Sequence, residues 1–487
     1  MKTYQDWLKV ADGSDEERMQ FVRACINEHK SDPEVIFAQD AQQYDDGLNP
    51  TIMRYQKFIY NALGQRVPDL VSANHKIASK IFGRINTQAV LTQLGNGISF
   101  NNEDTEKKLE TDEHLFLTEM MDLFRTAMVQ KVAYGFWNLD HLETYSFTEF
   151  KELVDEEDGA IKAGIRYWQI DATKPLRATL FELDGYTDYI WQKDSTKGEI
   201  LHPKRPYIIK IRKNEVDGEE IYDGDNYPTF PVIPLYLNKS KISTLLGLKN
   251  KIDALDLISS GYVNDTDDLN IIYWTVTNSG GMADTDLISV LDKLRKVHAT
   301  QLDDDQQLQS HTVDMPYLSR EAILDRLEQQ IYKDAMALNV YDLASGAITA
   351  TQIKAAYEPL NEKLDMFEIY LTSFIKKVLR LAGIDDTPSY TRSIIVNAAE
   401  EIQAVVSGAV YLNADYVMEK IMTILGDADK IETYRDKEDT ANLERMALGQ
   451  QEATEEEEEV EEEDDAMAGV LSQLEEMLEE LEAEDGE

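Results

Sequence analysis

Three consecutive carboxylates, Asp303, Asp304 and Asp305, are the residues of this sequence whose types and spacing most resemble a metal-binding site. Adjacent carboxylate oxygens are hard ligands of the kind that Ca²⁺ and Mg²⁺ prefer. The three residues lie at a predicted loop tip, where a solvated run of charge is the commoner arrangement. The sequence therefore favours an exposed acidic loop, and an ion bound near Asp303 stays open.

The other side chains that could do chemistry are scattered along the chain. No two histidines have the i,i+4 spacing of a helical metal site. The seven are His29, His75, His114, His141, His202, His298 and His311. A phosphate-binding glycine-rich loop, a metalloprotease motif and a paired CxxC motif are all missing from the sequence. We therefore predict no enzyme, no metal and no cofactor, and a hydrolase with an acidic site is the rival class.

The charge balance restricts the class of partner. The chain has 48 basic and 93 acidic residues, a net charge of −45. Residues 449–487 hold nineteen of the acidic residues and no basic ones, which leaves −26 on the rest. Such a surface repels polyanions and argues against a protein that reads nucleic-acid sequence. The single Cys25 excludes an intrachain disulfide, and no apolar run reaches the roughly 20 residues of a membrane helix, so we expect a soluble protein made in the cytoplasm.

Hydrophobic spacing predicts an α+β protein that is mainly helical. Residues 15 to about 95 have helical character with a break at Tyr44–Pro50, and Leu115–Lys131 is a further amphipathic helix. Short alternating runs between Phe136 and Pro234, separated by Asp-Gly turns, predict antiparallel sheet. A helix over Ser243–Asp268 follows.

The second half of the chain begins with a compact insert. It is predicted to contain a strand at Ile271–Thr277, a helix at Asp284–Val297 and strands around His298–Leu302 and His311–Met315. Three further helical stretches are predicted after the insert. They are Ser319–Tyr341, a long helix that ends at Leu381, and shorter helices within Asn397–Met446.

A small, uncharged loop, DLASGAITATQIK, joins two of these helices. Thr349 and Gln352 have the spacing of a capping box for the long helix, and Pro359 inside that helix predicts a kink. A glycine-containing loop on a bent rod can project into space and move. A plain helical hairpin with a mobile surface turn is the alternative.

Five stretches, taken in order, resemble the portal proteins of tailed bacteriophages. They are Ala41–Ile52, Asn74–Phe100, Gly164–Asp171 with the following LFELDGYTDYIW, Pro231–Leu269, and Ser345–Glu368. The fourth is the most telling, since an extended Pro/Tyr/Asn stretch precedes a helix with an Ile-Asp-x-x-Asp core and a closing Asn-Asp. The likeness covers about residues 35–440 and is best to the siphophage type with Gram-positive hosts.

The resemblance implies a portal-type subunit with wing, stem, clip and crown regions. The implied regions are the wing at 1–242, the stem helix at 243–268, the clip at 269–318, the returning stem helix at 319–341, the tunnel loop at 342–350, the long kinked helix of the wing at 351–396, the crown at 397–448 and a largely disordered acidic tail at 449–487. The tail has its own apolar spacing at Met467, Leu471, Leu474, Leu478 and Leu481. It could dock on a partner, bundle with its copies or act as a solubilising extension.

Two sets of residues are expected to face DNA if the resemblance holds. The tunnel loop consists of Leu343, Ala344, Ser345, Gly346, Ala347, Ile348, Thr349 and Ala350. Its residues are small and uncharged, and Gly346 is conformationally permissive. The channel-lining candidates are Asp253, Asp256, Asp267, Asp325 and Glu328. Acidic side chains would keep friction with DNA low, because Lys and Arg contacts to phosphate drive affinity. The alternative is that these faces pack on the neighbouring subunit.

Portal proteins form rings, usually dodecamers, at one capsid vertex of the virion, and the resemblance implies the same here. The ring would be the channel for packaging and ejection of double-stranded DNA and the docking platform for terminase and head–tail connector proteins. Major capsid and scaffolding proteins would be further partners, with assembly in the host cytoplasm and no membrane. The alternative is a head-completion or other capsid structural protein without a channel.

Overall fold

The computed structural model describes residues 2–60, 63–70, 72–102, 104–193, 195, 197–213, 220–268, 273–277, 285, 307–311, 317–340, 350–393 and 398–425. The chain divides into two compact units. The first comprises Met1–Val340 and Glu358–Ser393, and the second comprises Tyr341–Tyr357 and Ile394–Glu487. Helices and antiparallel sheets share the described residues, which confirms the predicted α+β class.

The helices are numbered in chain order. They are α1 (Tyr4–Ala11), α2 (Asp15–Lys30), α3 (Pro33–Asp46), α4 (Pro50–Met53), α5 (Ile81–Leu94), α6 (Asp104–Lys107), α7 (Phe116–Gln130), α8 (Lys249–Asp268), α9 (Tyr317–Asp334), α10 (Ala350–Leu381), α11 (Ala398–Gly408) and α12 (Ala414–Leu425). Local signals explain the boundaries of α3. Asp32 accepts a hydrogen bond from the Glu34 N–H at 2.9 Å, and Gly47 ends the helix at a φ of 88°, which favours glycine.

The strands form several antiparallel sheets. They are β1 (Phe58–Tyr60), β2 (Arg66–Pro68), β3 (Ile98–Phe100), β4 (Ala133–Asn138), β5 (His141–Ser146), β6 (Phe150–Val154), β7 (Ile161–Trp168), β8 (Leu176–Glu182), β9 (Gly185–Trp191), β10 (Gly198–Arg205), β11 (Ile208–Lys213), β12 (Glu220–Asp225), β13 (Val232–Leu235), β14 (Tyr273–Thr277), β15 (Gln307–His311) and β16 (Pro388–Tyr390). Strands β10-β9-β8-β7-β6 form one meander, and β13-β4-β5 form a second sheet. Helices α1 and α2 pack on the meander through Trp7, Phe21 and Val22.

Helices α8 and α9 run antiparallel, with an ion pair at each end. Lys251 pairs with Asp334 at one end, and Arg320 Nη1 lies 2.6 Å from Asp265 Oδ2 at the other. Apolar side chains between them join a core that includes α3 and α5. It contains Leu248, Ile252, Leu255, Ile331, Tyr332, Ile81 and Phe82. Each fully buried large aliphatic side chain contributes about 1.5–3 kcal/mol, against about 0–1 kcal/mol for an exposed ion pair, so apolar packing holds the pair together.

Several predicted boundaries are wrong. The described residues within 54–80 form β1, β2 and chain outside any helix. The helix predicted from Ser243 begins at Lys249, because Ser243 Oγ and the Thr244 N–H are occupied at the end of α7, where they donate to the carbonyls of Val129 and Met128. The second strand of the insert is β15, which pairs with β14.

Other expectations fall on residues outside the described ranges. They are the helix at Asp284–Val297 apart from residue 285, the strand at His298–Leu302, the carboxylates Asp303–Asp305, Thr349 of the predicted capping box, and the tail at 449–487. Within the described ranges, no three His, Cys, Asp or Glu side chains are grouped to hold a metal ion. A search of the same ranges finds no helix with the length and apolarity that membrane crossing requires.

Candidate functional site

One face of helix α8 carries a polar stripe along its whole length. Its members are Asp253, Asp256, Ser260, Asn264 and Asp267, at intervals of three and four residues. The stripe lies against an extended segment, His75–Ser79, which we call the strap. The strap's backbone groups need partners because no sheet neighbour pairs with them, and buried N–H and C=O groups are costly when unpaired. The side chains of the α8 stripe supply those partners.

The spacing of the two elements explains how they match. Four residues of helix rise about 6 Å, and two residues of extended chain span about 6.6 Å. Alternate strap N–H groups therefore meet every fourth residue of α8. The His75 N–H donates to Asn264 Oδ1 at 2.5 Å, the Ile77 N–H to Ser260 Oγ at 2.9 Å, and the Ser79 N–H to Asp256 Oδ1 at 3.0 Å.

The first turns of α8 add a pair of carboxylates bridged by one amide. Asn49 Nδ2 donates to Asp256 Oδ2 at 2.8 Å and to Asp253 Oδ1 at 3.1 Å. Burial raises the pKa of Asp256, and the neighbouring charge of Asp253 raises it further. Burial also opposes ionisation of Asp253, but hydrogen bonds from Lys249, Tyr44 and Asn49 outweigh that effect and lower its pKa. The two carboxylates thus differ in proton affinity although they share a donor.

The structure corrects two of the five channel-lining candidates. The Asp256 side chain is 1% exposed and Asp253 is 18% exposed. Both accept hydrogen bonds from the chain's own residues, so neither presents its carboxylate to a channel. A row of polar residues on one helix face suits a channel lining, but a helix that binds an extended strap produces the same row.

The other three lining candidates lie at the surface. The side chain of Asp267 is 57% exposed beside His75 Nε2 at 3.1 Å. Glu328 is 37% exposed, with Oε1 at 3.8 Å from Arg84 Nη2. Asp325, on α9, is exposed. No ion pair to Asp325 is found within the described part of the chain, so this carboxylate is the most available of the five.

The predicted tunnel loop follows the end of α9, and we call Ala335–Leu338 at that end the mount. Residues 343–349 of the loop lie outside the described ranges, and Ala350 is the first residue of α10. Met336 adopts a left-handed φ of 50°. The Ala337 N–H then bonds the Tyr332 carbonyl at 3.0 Å, and the Met336 N–H bonds that of Lys333 at 3.1 Å, which is a Schellman ending. The helix predicted to run to Tyr341 therefore stops at Asp334.

Two side chains from other helices hold this mount. Gln88 on α5 donates to the Leu338 carbonyl at 3.1 Å and accepts from the Leu338 N–H at 3.0 Å. Lys363 on α10 donates from Nζ to the Ala335 carbonyl at 2.9 Å. Burial lowers the pKa of Lys363 to about 8. A cation at a helix C-terminus is favourable, so Lys363 stabilises the end of α9 despite its burial.

Comparison with known proteins decides the family. A family described as "Phage portal protein, SPP1 Gp6-like" matches residues 153–444, which is more than half of the chain. The chain belongs to this phage portal protein family. The resemblance expected from the sequence is therefore confirmed. The matched residues include α8, β14, β15, α9 and α10, and hence the mount and the whole α8 stripe.

Individual relatives of this portal family member are distant. A portal protein of Clostridium phage phiCD119 is 25% identical over 45% of this chain and 54% of its own length. A portal protein of Bacillus phage SPP1 is 23% identical over 55% of this chain and 63% of its own length. The chain thus spans less than two thirds of either relative. A chain from the neck of a native gene transfer agent particle aligns over 70% of this chain and 89% of its own, at 10% identity and a TM-score of 0.41.

Sequence reasoning missed the residues that hold the portal subunit's strap and mount. Lys363 lies among the apolar positions Leu360, Leu364 and Phe367 of α10. A lysine on an apolar helix face is a detectable signal, since buried lysines are rare unless their charge is met. Asn49 and Gln88 have no comparable pattern, because their partners are distant in sequence.

The buried Lys363 predicts a pH dependence of stability. Between its folded-state pKa of about 8 and its ordinary value of 10.5, the unfolded chain binds more protons than the folded one, so stability rises with pH. Taken as the stability of the wild type minus that of Lys363→Met, in which the opposing contributions of the buried tyrosines cancel, the rise should approach roughly 3 kcal/mol at pH 10.5 and be absent below pH 8, where Lys363 is protonated in both states. Urea unfolding of the wild type and Lys363→Met from pH 7 to 10.5 measures the difference.

Lys377→Met is the matched control for this prediction, because Lys377 is exposed on the same helix. This variant should keep the wild-type pH dependence, whereas Lys363→Met should lose the part of it that Lys363 contributes. Equal pH profiles for the wild type and Lys363→Met would show that the Lys363 ammonium is not desolvated at the mount.

Proposed function

We propose that this chain is the subunit of a portal ring, which is the channel for double-stranded DNA at one capsid vertex. Membership of the phage portal family carries the proposal. The ring would admit DNA during packaging and release it during ejection. It would also dock terminase and, at a different stage, head–tail connector proteins. The portal function is thus mechanical, and the matched family is described by this structural role rather than by a reaction.

The order of elements supports the assignment of regions. The antiparallel helices α8 and α9 are separated in the chain by the paired strands β14 and β15. We assign α8 and α9 to the stem and 269–318 to the clip. The remaining assignments are the wing at 1–242 and 351–396, the tunnel loop at 342–350 and the crown at 397–448.

The surface charges suit a passage that does not retain DNA. Asp267, Asp325 and Glu328 are the exposed acidic residues of the two stem helices that remain lining candidates. Like charge on lining and duplex weakens binding, because it supplies no cation to replace the counterions of the phosphates. In this arrangement the strap and the mount keep the stem helices rigid while DNA moves past them.

Light scattering and negative-stain microscopy of the purified full chain test the proposal. We expect annular particles with a mass of many subunits, usually a dodecamer in this family, and a central hole. A species that stays monomeric at high protein concentration and shows no annular particles would overturn the ring, and with it the channel.

A further inference from the structure

A groove of about 840 Å³ lies beside the C-terminal end of α10, where β6, β7 and the chain before β13 meet it. Its apolar lining includes Val154, Ile161, Leu183, Phe230, Val232 and Leu381. The carboxylate of Glu152 also lines it but is engaged, because the Tyr236 hydroxyl donates to it at 3.1 Å and the Tyr134 hydroxyl at 3.4 Å. The volume is in the range of sites that accept several buried side chains.

The rim of this groove is basic, although the chain as a whole is strongly acidic. Lys241, Lys377 and Arg380 line the groove, and Lys376 adjoins it on α10. None of the four makes an ion pair within the described residues, whereas the fifth cation, Lys162, pairs with Asp158 at 2.8 Å. Lys241 Nζ lies 4.3 Å from the centre of the Tyr236 ring, which leaves its charge without an acidic partner. In a chain with 93 acidic residues, four cations that have no ion pair within the described residues and surround an apolar groove indicate a site for an acidic ligand with an apolar face.

The C-terminal residues 451–487 have the complementary chemistry in their sequence. Leu471, Leu474, Leu478 and Leu481 are spaced by three and four residues, as in amphipathic helices that bind hydrophobic grooves. Acidic residues lie between and after these leucines, at Glu475, Glu476, Glu479, Glu480 and Glu482, together with Ser472, Gln473 and Met477. The segment contains no Lys or Arg, so its charge is wholly complementary to the rim.

We propose that this groove binds the segment 451–487 of a second copy of the chain, with its leucines in the groove and its carboxylates on the basic rim. The four cations would attract the acidic segment. They would also orient it, because complementary charges fix the register in which a segment binds. The contact would link neighbouring subunits without using the stem helices. The proposal does not depend on the chain forming a closed ring.

Carbodiimide crosslinking of the full chain, read by mass spectrometry, tests the contact. The carboxylates of 451–487 should couple to Lys241 and Lys377 at a yield at least ten-fold above that at the exposed Lys193, Lys197 and Lys333. Equal yields at all five lysines would mean that the segment meets cations at random and would overturn the proposal. An assembly of unlabelled and ¹⁵N-labelled chains, mixed before assembly, should give mixed-isotope pairs. Same-isotope pairs alone would refute the second copy as the source.

Two variants separate the charged and apolar parts of the contact. Lys376→Glu with Lys377→Glu and Arg380→Glu should reduce coupling at Lys241 by about ten-fold or more. The matched control, Lys193→Glu with Lys197→Glu and Lys333→Glu, makes the same charge change at exposed positions and should leave it unaltered. Cations in the last turn of α10 also favour the helix, but that role predicts no loss of crosslinks.

The apolar part of the contact is tested with Leu474→Gln and Leu478→Gln together, which leave the charge of the segment unchanged. Loss of two buried leucines should lower coupling at Lys241 by about ten-fold or more. Unchanged coupling would show that charge alone brings the segment near the rim, and would refute docking in the groove.

Discussion

Asp256→Lys is expected to release the strap from helix α8 and to destabilise this part of the fold by about 3–5 kcal/mol. The Asp256 carboxylate is 1% exposed and accepts hydrogen bonds from Asn49 and from the Ser79 N–H. The lysine would leave two donors unpaired and place an ammonium beside them. The nearby Asp253 would not take over these hydrogen bonds, because its Oδ2 already accepts one from Lys249 Nζ at 2.7 Å.

Hydrogen exchange of the amides of His75, Ile77 and Ser79 measures this effect directly. Their protection should fall by about 10²–10⁴-fold, in line with the expected free energy. Asp325→Lys is the matched control, since it makes the same change at an exposed position of α9 and should alter stability by no more than about 0.5 kcal/mol. Full strap protection in Asp256→Lys would show instead that this carboxylate faces solvent or a channel.

The polar stripe of α8 shows where prediction from sequence succeeds and where it fails. Hydrophobic spacing predicted the helix that carries the stripe, and that helix is present. Spacing cannot say what a polar face meets, because a channel, a neighbouring subunit and a backbone strap all need polar side chains there. The decisive partner is the strap, about 180 residues away in the chain, and the hydrophobic spacing of its region indicated helix instead.

The stretches that carried the family resemblance meet at this same network. Ala41–Ile52 provides Tyr44 and Asn49, Asn74–Phe100 provides the strap, and Pro231–Leu269 provides α8. The likeness to portal proteins was therefore informative about residues that stabilise the subunit. The ends of α8 and α9 could not be predicted, since both depend on tertiary contacts. Ser243 bonds α7, and Met336 is held in a left-handed conformation that its residue type disfavours.

Reversing the charge of the three exposed lining candidates is expected to make the assembled protein retain duplex DNA. The variant combines Asp267→Lys, Asp325→Lys and Glu328→Lys. Each subunit then presents three cations where it had three carboxylates. If the ring makes at least about six phosphate contacts, its affinity should fall by about 10³–10⁵-fold between 50 and 200 mM salt. The fold should survive, because the ion pairs lost with His75 and Arg84 are exposed and worth at most about 1 kcal/mol each.

Fluorescence anisotropy with a linear duplex, measured over a salt series, gives the affinity and its slope. The matched control makes the same charge change on the sheets and loops, with Asp112→Lys, Glu157→Lys and Glu199→Lys, all at exposed positions. Cations on an outer surface would bind two duplexes equally well, one with both ends capped by streptavidin and one with free ends. Cations inside a closed ring can only be reached by threading, so capping both ends should abolish retention by the stem variant alone. Retention that ignores the caps, or that the control matches, would place the three carboxylates outside the channel.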